Sequence, residues 1–104
     1  MFETEEQKER IILVAVATAD GDDTEQSLDE LEELGQTAGA VTVAKVIQNR
    51  EKVHAGTYVG KGKIEEIKNL AISLDADAVV CDDELSPAQY HNLQDALEIK
   101  VIDR

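Results

Sequence analysis

Residues 11–17 read Ile-Ile-Leu-Val-Ala-Val-Ala, seven apolar side chains in succession with four β-branched residues among them. A strand with one wet face alternates apolar and polar residues. An unbroken run of this length belongs to a strand covered on both faces, the usual state of a parallel sheet with helices above and below. The next segment supplies such a helix. Asp20-Gly21-Asp22-Asp23 breaks the run, and Asp23 or Thr24 suits a helix N-cap. Leu28, Leu31, Leu34, Gly35 and Ala38 then fall on one side of a helix whose other side is acidic, until Gly39 stops it.

Ala40 to Gln48 reads as a second strand, in which Thr42, Lys45 and Gln48 interrupt the Val and Ile and so favour a sheet edge. Asn49 to Gly56 is a polar connection. Thr57 to Lys63 leads into a helix bearing Ile64, Ile67, Leu70, Ala71 and Leu74. Ala78 to Cys81 is a short apolar strand ending in Asp82-Asp83-Glu84. Ser86-Pro87 opens a third helix, since Pro at the first helical position gives up only a hydrogen bond that would go unmade. That helix ends near Leu97, and Ile99, Val101 and Ile102 make a last strand.

The expectation is an α/β domain over residues 11–104, preceded by an acidic flexible tail over 1–10. Its order is β-α-β-α-β-α-β, a four-stranded, mostly parallel sheet flanked by three helices. Right-handed crossovers favour the strand order 2-1-3-4.

The chain has 104 residues, 42% of them apolar, which suits one folded core. Phe2, Tyr58 and Tyr90 are its only aromatic residues, so that core is built of Val, Ile, Leu and Ala. A single cysteine, Cys81, excludes an internal disulfide and a thiolate zinc site. No stretch approaches the roughly 18–20 apolar residues of a membrane span. The polar start lacks a cationic n-region, and a reducing, cytoplasmic setting is the expectation.

The net charge of −13 is unevenly spread. Residues 1–39 hold twelve acids and two bases, net −10, and residues 64–104 hold ten acids and three bases, net −7. Between them, Lys45, Arg50, Lys52, Lys61 and Lys63 face Glu51 alone, net +4. Half of the Lys and Arg residues therefore form a basic segment on an acidic body. Exposed cations of this kind displace counterions from RNA. Arg50, Lys52, Lys61 and Lys63 are the candidate phosphate contacts. His54 and Tyr58 are candidate base contacts, although Tyr58 is equally suited to anchoring the loop on the sheet.

Two further sites come into question. Gly60-Lys61-Gly62-Lys63 before a helix could cradle a nucleotide phosphate on backbone N–H groups. It is nonetheless neither a GxxxxGK[ST] loop nor a complete GxGxxG. Asp20 and Asp22 would face Asp82 and Asp83 across the crevice where strand order reverses, and could hold Mg²⁺ as in a receiver domain. The commoner use of such acids is as turn formers and N-cap neighbours, and no metal is assigned. No catalytic residue emerges: His54 and His91 have no nucleophile beside them in the pattern, Cys81 belongs to a strand, and Ser86 is explained as an N-cap.

Three stretches carry a resemblance: TYVGKGKIEEIKNL from Thr57, ADAVVCDDELSPAQYHNLQDAL from Ala76, and KVIDR at the end. With SLDELEELGQTAGA from Ser27, they resemble the N-terminal domain of HflX-type GTPases over about Ile11 to Arg104. The pairing of Y-[IV]-G-x-G-K with D-D-E-L-S-P-x-Q is what makes the likeness specific. The resemblance implies a cytoplasmic, guanine-nucleotide-hydrolysing protein that binds the large ribosomal subunit and its RNA, some members splitting stalled or hibernating ribosomes. It implies an α/β subdomain followed by a pair of long helices and a GTPase domain that binds GTP and Mg²⁺. This chain has no P-loop, so that activity is not assigned to it, and no cofactor is expected here. The family also suggests adenine nucleotide binding in this region, for which Gly60, Lys61, Gly62 and Lys63 are the place to look.

Overall fold

The computed structural model describes residues 8–18 and 23–104. Four strands, β1 (Glu9–Ala17), β2 (Ala40–Asn49), β3 (Ala78–Cys81) and β4 (Lys100–Asp103), alternate with helices α1 (Thr24–Thr37), α2 (Lys61–Leu74) and α3 (Pro87–Leu97). The sheet order is β2-β1-β3-β4, and every pairing is parallel, as the crossover argument requires. β2 lies at an edge. β1 pairs with β2 from Glu9↔Ala40 to Ala17↔Asn49, with one register shift between Ile11 and Ile12. It pairs with β3 only from Ile11↔Ala78 to Val14↔Cys81.

The pleat divides the apolar run of β1 between two cores. Ile11, Leu13 and Ala15 join Leu28 and Leu31 of α1 on one face. Ile12, Val14 and Val16 join Ile67 and Ala71 of α2, Leu93 and Leu97 of α3, and Val79 and Val101 on the other. The faces are unequal: α2 and α3 cover one, while α1 alone packs over β1 and β2 on the other.

β1 begins two residues before the apolar run, so the tail expected over 1–10 gives up Glu9 and Arg10 to the sheet. Polar residues are tolerated there because each has a partner. The Arg10 guanidinium donates to the Leu74 carbonyl oxygen (Nη2 at 2.8 Å), which caps the end of α2, and Glu9 pairs with Lys100 at 2.8 Å. Asp23 occupies the N-cap position of α1 without a side-chain capping bond. Ser86 does cap α3. Its Oγ accepts from the Gln89 N–H (3.1 Å) while Gln89 Oε1 accepts from the Ser86 N–H (2.9 Å), a reciprocal capping box.

Candidate nucleic-acid interface

The basic segment leaves the sheet at the carboxyl end of β2. The Arg50 N–H donates to Ala17 O (3.0 Å), carrying the β1–β2 pairing one residue past the strand. A tight turn comes next, closed by His54 N–H to Tyr58 O (3.2 Å) and Tyr58 N–H to His54 O (2.9 Å). His54 Nδ1 accepts from the N–H groups of Gly56 and Thr57 at 3.1 and 3.2 Å. Nδ1 is thus an acceptor in this arrangement, and the ring proton sits on Nε2.

The turn is fastened rather than projecting. Gln89 Nε2 donates to His54 O (2.9 Å), and Asn92 Nδ2 donates to Gly56 O (3.0 Å), so two amides of α3 hold its backbone. At its far end the Gly60 N–H donates to Gln48 Oε1 (2.8 Å). Tyr58 supplies the deepest tie. Its ring is 1% exposed within the larger core, and its hydroxyl donates to Asp83 Oδ2 at 2.6 Å. Burial, then the Asp83 carboxylate, raises the phenol far above its ordinary pKa. Tyr58 holds φ at 71°, a left-handed conformation that is unfavourable for a bulky side chain and is maintained here by these contacts. Tyr58 therefore leaves the set of base contacts: its ring faces the sheet and is closed to a nucleobase.

The cations separate by partner. Lys45 is held by Glu32 (2.7 Å) and Asp29 (3.0 Å) of α1. Lys63, partly buried, pairs with Glu66 at 2.9 Å. Lys68, Lys100 and Arg104 are likewise paired. Arg50, Lys52 and Lys61 have no carboxylate within ion-pair distance among the described residues; the only side-chain bond of Arg50 runs from Nε to Lys52 O (3.1 Å). Arg50 lies over Gly60, the residue before Lys61, at the base of the turn, and its Nε reaches the Lys52 backbone. A Cβ on Gly60 would meet Arg50 Nη1 at 2.8 Å. His54 and Lys61 also border a cleft of about 440 Å³ between the turn, α2 and α3, with Ile64 and Ala96 on its wall.

Gly60 has φ −74°, open to any residue, so the bare Cα is needed for the guanidinium and not for the backbone. Gly60→Ala is expected to push Arg50 aside and leave stability within about 1 kcal/mol, because a long side chain can move. Crystallography of the variant, with urea unfolding alongside, would check both parts.

The acidic alternative fares differently. Asp20 and Asp22 lie outside the described residues. Asp82 and Asp83, just past the end of β3, reach different partners: Asp83 accepts from Tyr58, while Asp82 Oδ1 accepts from Arg104 Nη1 at 2.6 Å. They do not converge on a common cation. Among the described residues, no group of three or more His, Cys, Asp or Glu side chains is arranged to hold a metal ion. Cys81 is fully buried, and burial, with Asp103, Asp83 and Asp82 nearby, pushes its thiol up to about 12. His91 sits exposed on α3 beside Asp95.

Sequence reading missed Gln48, Gln89, Asn92 and Asp83 as the anchors of the turn. Only Gln89 had left a signal, as the third residue after Ser86 in a capping box.

The model of the GTP-binding GTPase N-terminal family matches residues 25–104, more than half of the chain. This chain belongs to that family. It corresponds to the N-terminal domain of GTPase HflX. It is 64% identical over its whole length to GTPase HflX of Lacrimispora saccharolytica and 42% identical to that of Caldanaerobacter subterraneus subsp. tengcongensis. Identity to the Escherichia coli K12 protein is 35%. The chain spans about a quarter of the length of these HflX relatives, 25%, 24% and 24% respectively. In fold it is similar to a crystal structure of an SsGBP mutation variant. The TM-score is 0.55 at 15% identity, covering 88% of this chain and 28% of that one.

Proposed function

We propose that this HflX domain is the recognition module of a cytoplasmic, ribosome-binding GTPase, which meets RNA of the large subunit through Arg50, Lys52 and Lys61 and helps position the GTPase domain. GTP and Mg²⁺ are bound by that GTPase domain. The observation that carries the reading is the division of the cations. Those elsewhere in the ordered body are mostly tied to carboxylates or carbonyls, whereas three at the base of one fastened turn are left for an outside anion. A rigid turn suits this use, since little ordering entropy is lost on contact. The acidic faces repel phosphate and so restrict the angle of approach. His54, with its Nε2–H turned away from the turn backbone, is the polar group beside them. Lys63, engaged by Glu66, contributes less. For a nucleotide phosphate at Gly60 to Lys63, the Gly60 amide is already committed to Gln48, so the amides of the first turn of α2 would have to serve.

Within full-length HflX, Ala at Arg50, Lys52 and Lys61 together is expected to weaken binding to isolated large subunits on the order of a hundredfold at physiological salt. The slope of log affinity against log salt should become shallower by about 2. Lys63→Ala should change both far less. Unchanged affinity and slope in the triple variant would overturn the assignment. Sedimentation of subunits at several salt concentrations gives both quantities.

A further inference from the structure

The cleft beside the basic turn holds groups that the phosphate contacts leave unused. Its volume of about 440 Å³ falls within the range of about 300–1,000 Å³ typical of sites for small organic molecules. Lys61, Ile64, Glu65 and Lys68 border it from α2. Spaced three or four residues apart, they form one stripe of that helix. Ala96 borders it from α3 and His54 from the turn. Ile64 packs against the larger core, and Gln89 and Asn92 fix the turn backbone. The walls are therefore set by the fold before any ligand arrives.

The polar groups of the cleft divide into donors and one acceptor. Lys68 is engaged by Glu98 at 3.3 Å. The other ion pair of α2 joins Lys63 to Glu66, which leaves Lys61 and Glu65 without a partner among the described residues. His54 uses Nδ1 on the backbone of its own turn and keeps its Nε2–H free. An imidazole N–H and an ammonium are thus offered together with a carboxylate, and Ile64 and Ala96 add apolar surface. Such a lining suits a flat ring with a polar edge. Guanine matches it best among the RNA bases. Its N1–H and exocyclic N2 amine lie side by side for a carboxylate, whereas each other base has a single donor group on that edge. Its O6 and N7 accept from a donor.

We propose that the cleft seats an unstacked guanine of the RNA, with Glu65 on N1–H and the N2 amine, the His54 Nε2–H on O6, and Lys61 left for the adjoining phosphate. The domain then recognises a single-stranded loop or bulge and not a duplex, in which that edge is paired. This rests on the RNA reading of the basic turn and names the form of RNA it meets.

The test uses full-length HflX bound to isolated large subunits, probed with kethoxal, which modifies N1 and N2 of unpaired guanines. The parent should protect a guanine that the variants leave reactive. Ala96→Trp fills the cleft and should weaken binding about tenfold. The slope against salt should stay as in the parent, because no cation is removed. Glu65→Gln, at an exposed position, covers the case in which the tryptophan disturbs folding. Removing a negative charge should by itself strengthen binding to RNA; the base contact predicts weakening instead, by about fivefold or more. Parent-like affinity of Ala96→Trp, equal or tighter binding of Glu65→Gln, or no protected guanine would overturn the proposal. So would binding of free GMP that Glu65→Gln abolishes while subunit affinity is unchanged, which would give the cleft to a free nucleotide. The phosphate contacts are read separately, through the salt slope of the triple variant. A triple variant without effect beside a weakened Glu65→Gln would remove those contacts and leave the base seat standing.

Discussion

Tyr58→Ala is expected to destabilise the domain by about 3–5 kcal/mol, the range for deleting a buried aromatic ring. That is a large share of the roughly 5–15 kcal/mol by which a domain is stable. The ring is 1% exposed and belongs to the larger core cluster, with Ile12, Val14, Cys81 and Leu85 among its members. Alanine would leave a cavity there and free the turn from Asp83. Two effects separate on comparison with Tyr58→Phe, which keeps the ring and loses only the bond to Asp83. A hydrogen bond to a carboxylate is worth about 1.5–3 kcal/mol. Asp83 is otherwise solvent-exposed and can be rehydrated, so the Phe variant should fall at or below the lower end. Urea unfolding of the three proteins would read this directly. A Phe variant as damaged as the Ala variant would mean that the hydroxyl, not the ring, holds the turn.

High pH should unfold the domain well before ordinary surface titrations explain it. Cys81 has an ordinary thiol value of 9.0, which burial in the fold pushes up to about 12. Tyr58 is raised above its ordinary 10.0 by burial and by Asp83. Both are acids that are neutral when protonated, and the fold disfavours their ionised forms. Their stabilisation is complete below the unfolded values and is lost as pH rises towards the folded ones. Loss begins near pH 9 with Cys81, at about 1.4 kcal/mol per pH unit, amounting to about 4 kcal/mol by pH 12. Tyr58 adds to the slope above pH 10. Urea midpoints measured at half-unit steps from pH 7 to 11 should fall from about pH 9 onward. Cys81→Ala should flatten the first part of the decline, and Tyr58→Phe the part above 10. A midpoint steady to pH 10.5 in the parent would contradict the buried setting of both groups.

Much of the architecture could be read from a few residues. The unalternated run from Ile11 announced a strand covered on both faces, Gly39 and Ser86-Pro87 marked helix ends, and crossover handedness did the rest. Local physics decides each of these. The start of β1 could not be read, because Glu9 and Arg10 look solvated until Lys100 and the end of α2 are folded beside them. The direction of Tyr58 was also hidden. An aromatic residue among glycines and lysines looks like a stacking platform, and its deciding partner, Asp83, lies 25 residues away. Asp82 and Asp83 lie just past the end of β3, and their partners Arg104 and Tyr58 come from distant segments. Composition located the basic segment. Which of its cations stay unpaired is a property of the folded surface.

The uneven hydrogen-bond ladder about β1 also sets an order of assembly. β1, α1 and β2 are contiguous in sequence and share nine register pairs, so this unit closes at a modest loop entropy. β3 must reach β1 across a separation of 67 residues, from Ile11 to Ala78, for only four pairs. The amino-terminal half therefore offers the template, and the carboxyl-terminal half adds to it. The Tyr58–Asp83 bond, joining a loop of the first half to a strand end of the second, is a latch that engages late.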